Sequence, residues 1–232
     1  MSGYFQFQPD LIVEATSLCD RACSGCYAPN VISKKPERLY ESRPELFLNP
    51  QTADSALRAI QNNDLSLISI RGGEPTLHPE IVSIISSCAK CGSLVMLETH
   101  GRWLLPENVQ PYAGLVSVLA ELRVAVKLSF DSMHGLSVPQ LSAISKYLQE
   151  NSIRLFVAIT EQDEQSFNAV RSGCTQISDA QIIFQKKARD LESLIRPKFG
   201  VLGVTGIIAE QLSSKFESAT ATAPQPVQVR AI

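Results

Sequence analysis

No apolar run in the sequence approaches the ~18 residues needed to cross a membrane. The opening MSGYFQFQPD lacks the basic-then-apolar layout of a signal peptide. Charge of one sign is also missing: 21 basic residues stand against 23 acidic ones, a net charge of −2. That excludes a global basic field and gives no clear nucleic-acid signal. There is no internal repeat and no composition shift that would mark a second domain. What is there is an ordinary composition, 44% hydrophobic and 19% charged, at a length normal for one α/β domain. We therefore expect a cytoplasmic protein in which thiols stay reduced. In that setting clustered cysteines more often bind metal or do chemistry than form structural disulfides.

Apolar runs alternate with helical stretches. Strands are expected at 11–18, around LSLISIR, at SLVMLETH, at VAVKLSFDS, at IRLFVAIT and at AQIIFQKK. Helices are expected at 49–63, with Asn49 as N-cap and Pro50 in the first turn, at 78–92, near 106–122, at 138–150, near 163–171 and around 187–195. A polar, basic loop is expected between the first strand and the first helix. Six strand–helix units in order argue for an α/β fold, a partial (β/α)6 TIM-like barrel of parallel strands with helices outside. One core domain is expected over 1–217. It ends in a short helical extension drawn from GVLGVTGIIAEQLSSKFES, and 218–232 forms a flexible tail.

The active edge of such a sheet lies at the carboxyl ends of its strands. Unusual residues collect there. TSLCDRACSGCYAPN follows the first strand and carries Cys19, Cys23 and Cys26; RGGEPTLHPE follows the second, LETHG the third and DSMH the fourth. Three cysteines so spaced fit a disulfide pair with a spare, an incomplete zinc knuckle, or a site that uses three thiolates. Tetrahedral zinc wants four ligands. Cys88 and Cys91 fit the buried face of a helix and read as core cysteines, and Cys174 is isolated. Three thiolates suit a cubane iron–sulfur cluster with one iron left open.

Cys19-x-x-x-Cys23-x-x-Cys26 followed by Tyr27 resembles the cluster loop of the radical S-adenosylmethionine (radical SAM) superfamily. The resemblance runs in matching order through RGGEPTLHPE, LETHG and VKLSFDSMH, over about residues 11–187. It implies a 4Fe–4S cluster on Cys19, Cys23 and Cys26 whose open iron chelates the methionine part of SAM. It implies reductive cleavage of SAM to a 5′-deoxyadenosyl radical that abstracts hydrogen from a substrate. Gly72 and Gly73 would let backbone approach the ligand closely. Glu74 would accept from an ammonium group or order the turn before Pro75. Thr99 would face SAM or substrate, Ser129 would contact SAM, and Asp131 would accept from a ribose hydroxyl. Tyr27 would lie near the adenine. By the two-residue period Lys127, Ser129 and Asp131 share a face; Lys127 reads equally as a contact to a ligand carboxylate and as half of a structural ion pair.

Among the histidines, His78 reads as solvated or capping, and His134 as a substrate contact or a surface residue. His100 replaces the asparagine common in the family's segment. Gly25 stands where glycyl-radical activating enzymes usually carry an aromatic residue, which counts against an activase. With no cysteine beyond Cys174, a single cluster is expected. No glycine-rich motif follows the fifth strand, so the adenine contacts there stay unassigned. The basic run 34–38 would be solvated, or would attract a flavodoxin- or ferredoxin-type electron donor. The expected substrate is a small molecule, such as a nucleotide or a biosynthetic intermediate. The alternatives are a maturase acting on peptide or protein and, more remotely, a non-enzymatic zinc-binding module. A partner subunit, as in a homo-oligomer, could help close the site.

Overall fold

The structure is a computed structural model. It describes residues 9–23, 26, 31–33, 35–61, 65–91, 94–159, 165, 168–169, 172, 184–186, 200–203 and 206–208. These fall into two compact units. One comprises Gln8–Ala22, Cys26–Met96 and Arg196–Ile232; the other comprises Met1–Phe7, Cys23–Gly25 and Leu97–Ile195.

In the first unit β1 (Leu11–Glu14) pairs parallel with β4 (Leu67–Arg71), in the register Leu11 to Ile68 and Glu14 to Arg71. A short parallel pair, β2 (Leu18–Cys19) and β3 (Val31–Ile32), leads into and out of the cysteine loop. Helix α1 (Pro36–Ser42) occupies the stretch expected to be loop. Its proline sits at the first turn, where the missing N–H costs nothing. It buries no residue of its own; Leu39 and Tyr40 pack part-buried on Leu18, Leu46 and Phe47. Helix α2 (Pro50–Ile60) starts as expected, with the Asn49 side chain accepting from the N–H groups of Gln51 and Thr52. It buries Ala53, Ala56, Leu57 and Ile60, and α3 (Ile81–Ala89), which packs against it, buries Ile81, Ile84, Ile85 and Cys88. The hydroxyl of Ser87 donates to Asp54 at 2.9 Å and ties α3 to α2.

The C-terminal segment corrects an expectation. Where a helix was expected from residue 200, the chain forms β9 (Gly200–Gly203), parallel to β1, and β10 (Gly206–Ile208), antiparallel to β9. Glycines every third residue remove helix propensity, while Val, Leu and Ile between them favour a strand against β1.

β5 (Leu94–Thr99) is shared between the units. In the second unit β6 (Ala125–Ser129), β7 (Leu155–Ile159) and β8 (Phe184–Lys186) follow it, each pairing parallel with the next from β6 onward. Every residue of β7 is buried, as expected of a parallel strand covered on both faces. Helix α4 (Ala113–Glu121) buries Leu115, Val116 and Leu119. Helix α5 (Val138–Glu150) has the expected bounds and opens on a capping box between Ser137 and Gln140. The strands β1, β4, β5, β6, β7 and β8 are parallel, with helices between successive strands as far as β7, an α/β fold of the partial TIM-like barrel kind. Most of the expected helical stretches 163–171 and 187–195, and the tail 218–232, lie outside the described residues.

Candidate functional site

In the first unit, the start of the cysteine loop is tied to the segment after β4. The Gly73 N–H donates to the Thr16 carbonyl at 2.8 Å, and the Glu74 N–H donates to the Leu18 carbonyl at 2.7 Å. Gly72 has φ +153°, and a Cβ there would lie 2.4 Å from the Thr16 carbonyl oxygen. That neighbour is backbone and cannot swing aside, so this position requires glycine. Thr16 is fixed in turn: its hydroxyl donates to the Leu46 carbonyl at 2.9 Å and accepts from the Leu18 N–H at 3.0 Å. Cys19 therefore stands at the end of a two-residue strand held by the Gly-Gly-Glu segment.

The three loop thiols are graded in exposure: Cys19 is buried, Cys23 half-buried and Cys26 exposed. Cys88 and Cys91 are both buried, as expected of core cysteines. Burial pushes the Cys88 thiol far above its usual range and raises Cys91 as well. A thiol that resists ionisation is a poor metal ligand. Tyr27 and Cys174 lie outside the described residues.

Glu74 is 1% exposed. Its Oε1 accepts from the Thr76 N–H at 3.2 Å and from the Thr76 hydroxyl at 2.8 Å, so it orders the turn through Pro75, one of its two expected roles. His78 is buried rather than solvated. Its Nδ1 accepts from the Glu80 N–H at 3.0 Å, which leaves Nε2 as the donor to the Leu48 carbonyl at 2.9 Å. Burial holds this imidazole below its ordinary pKa. It packs edge-on against Tyr40 and Phe47. Burial and a hydrogen bond to Glu80 push the Tyr40 phenol up to about 12.

In the second unit, Thr99 is buried at the end of β5. Its Oγ1 accepts from the Gly101 N–H at 3.0 Å and from the Trp103 indole at 2.9 Å. Gly101 is left-handed, at φ +73°, and a Cβ on it would strike Leu128. Lys127 and Glu98 form an ion pair at 3.2 Å with both side chains largely buried, so of the two readings of Lys127 the structural pair is present. Ser129 ends β6 half-buried.

Asp131 follows in a tight turn with a fully buried side chain. Its Oδ1 accepts from the N–H groups of Met133 and His134, each at 3.0 Å, and from His134 Nδ1 at 2.6 Å. Its Oδ2 is buried and has no hydrogen-bond partner among the described residues. Burial alone would raise this carboxyl; the bonds and charge of His134, with the Met133 N–H, outweigh it and hold the group below its usual range. The His134 bond was not legible beforehand: an Asp-x-x-His spacing in a turn carries no signal until the turn is formed.

Comparison with solved structures finds chains that share this fold. The likeness is to Streptococcus suis SuiB bound to S-adenosylmethionine, with a TM-score of 0.52 and 15% identity, over 96% of this chain and 50% of that one. SuiB bound to its precursor peptide SuiA matches with a TM-score of 0.49 and 14% identity, over 94% of this chain and 61% of that one. This chain thus spans half the length of the SAM-bound SuiB chain it matches. No protein-family model and no curated protein matches the sequence.

Proposed function

We propose that the chain is a radical SAM enzyme, with Cys19, Cys23 and Cys26 holding a 4Fe–4S cluster. The observation that carries this is the anchored loop. A three-cysteine segment starts at two backbone hydrogen bonds to a Gly-Gly-Glu turn, on a fold shared with SAM-bound SuiB. The donor set fits the group: the thiols are soft ligands, and two of the three are half-buried or exposed rather than sealed in a core. Asp131 Oδ2 fits SAM, because a buried carboxylate oxygen with no partner among the described residues costs free energy unless a donor meets it. When bound, the reduced cluster supplies the electron that splits a carbon–sulfur bond of SAM.

The chain's own residues would then bind and orient. Gly72 and Gly73 bring backbone close to the methionine part of SAM, and Glu74 holds their turn through Thr76. Ser129 and Asp131 take the nucleoside, Asp131 accepting from a ribose hydroxyl. Thr99 fixes the backbone after β5, and Tyr27 lies by the adenine. Reduction would come from a flavodoxin- or ferredoxin-type donor. The reading stops at the reaction class: a peptide substrate fits no worse than the small molecule expected from the sequence.

The test is turnover under anaerobic conditions. Reconstituted protein given SAM and dithionite is expected to release 5′-deoxyadenosine, and a Cys23→Ala variant to release none. An intact cluster with no product would contradict reductive cleavage.

A further inference from the structure

The turn after β6 holds a buried acceptor whose two oxygens are treated unequally. Asp131 Oδ1 takes three donors, while Oδ2, equally sealed from water, takes none among the described residues. A carboxylate rotated about its own axis could share those donors between both oxygens. What holds the orientation is the set of donors on Oδ1, the shortest of them His134 Nδ1 at 2.6 Å. An ionised carboxylate only accepts, so Nδ1 must carry the proton. The far side of the turn is held too: Arg102 Nη2 donates to the Gly135 carbonyl at 3.0 Å, and Gly135 is left-handed at φ +61°.

We propose that His134 is a positioning residue: it locks the Asp131 carboxylate through Oδ1, so that Oδ2 is committed to one hydrogen bond from a hydroxyl of the bound nucleoside. This rests on the reading above, in which the nucleoside belongs to SAM. His134 itself touches no ligand in this account. Its side chain is 21% exposed, against 0% for Asp131, and its effect passes entirely through the carboxylate. The arrangement is a matter of pre-organisation. An acceptor already fixed and already desolvated loses less on binding than one that must be turned and dried.

The experiment is calorimetric titration of the reconstituted protein, without reductant, using SAM and its 2′-deoxy and 3′-deoxy ribose analogues. Wild type should lose about tenfold or more in affinity for the analogue lacking the hydroxyl that meets Oδ2. His134→Ala should bind SAM several-fold more weakly and lose most of that discrimination. His134→Asn places an amide N–H close to the Nδ1 position and should restore both; His134→Gln, one carbon longer, should not. Thermal melts check that each variant is folded, and if His134→Ala is not, the Asn–Gln pair decides alone.

The proposal is overturned if the alanine variant keeps wild-type affinity and discrimination, or if Asn and Gln behave alike. It is also overturned if wild type binds both deoxy analogues as tightly as SAM. Failure of wild type to bind SAM at all would instead overturn the functional reading, and this proposal with it.

Discussion

The chain carries the same Cys-x-x-Cys spacing twice, at Cys23–Cys26 and at Cys88–Cys91. The two pairs meet opposite fates. Cys88 lies in the last turn of α3 and Cys91 just beyond its end, both buried, with their thiols pushed toward the protonated form. Cys91 Sγ lies 3.8 Å from the carbonyls of Leu57 and Ser87, a weak donor serving the helix packing. Cys23 and Cys26 sit in a loop, one half-buried and one exposed, behind a third cysteine on an anchored strand. Spacing alone therefore decides nothing. A metal needs thiolates that water and the metal can reach, and the helix denies both.

Exchanging the two pairs in turn breaks or keeps this contrast. The largest effect is expected from Cys23→Ala, which should lower iron after reconstitution from about four per chain to near none. Cys88→Ala should leave the iron content unchanged. It should instead cost about 1–2 kcal/mol of stability, the order expected for a small buried cavity. Iron lost from both variants alike would mean that the pairs do not differ as described.

The joint that holds the loop is the next point to test. Gly72→Ala should cost about 2–4 kcal/mol, because the added methyl meets Thr16 backbone at a φ that L-residues avoid. It should loosen Cys19 as well. A denaturation midpoint no lower than wild type would show that the Gly-Gly-Glu turn yields without cost.

The smallest expected effect concerns His78, which lies in sequence between the two regions. Its folded pKa is held below its ordinary value by burial. The unfolded chain therefore binds the proton first as pH falls. The neutral imidazole's contribution is fully present above the ordinary histidine pKa of ~6.5 and is lost as pH drops below it, by at most about 1.4 kcal/mol per pH unit. His78→Gln keeps an N–H near Nε2 for the Leu48 carbonyl and removes the titration, so its stability should fall less steeply below pH ~6.5. Parallel curves for the two proteins would remove His78 from the account.

How much of this the sequence made legible follows the range of each interaction. Asn49 and Ser137 cap helices through partners two or three residues away, and both helices begin where expected. Glu74 bonds to Thr76, also local, and its turn-ordering role was foreseen. Of the two readings of His78, the solvated one fails because its burial comes from Leu48, Phe47 and Tyr40, thirty or more residues earlier, while the bond from the Glu80 N–H, a local partner at the start of α3, fits the capping one. Helix α1 was hidden because its residues are polar and it buries none of them. β9 was hidden because β1, nearly two hundred residues away, is what makes it a strand. The six-strand frame was visible because each buried parallel strand is a short apolar run, readable without its neighbours.

The central claim is that the loop of Cys19, Cys23 and Cys26 holds a cluster with one iron open to SAM. Metal analysis with electron paramagnetic resonance on anaerobically reconstituted, dithionite-reduced protein tests it most directly. The account predicts about four irons and four sulfides per chain and a reduced-cluster signal that changes when SAM is added. Stoichiometric zinc at the three cysteines, or an iron–sulfur signal indifferent to SAM, would contradict it.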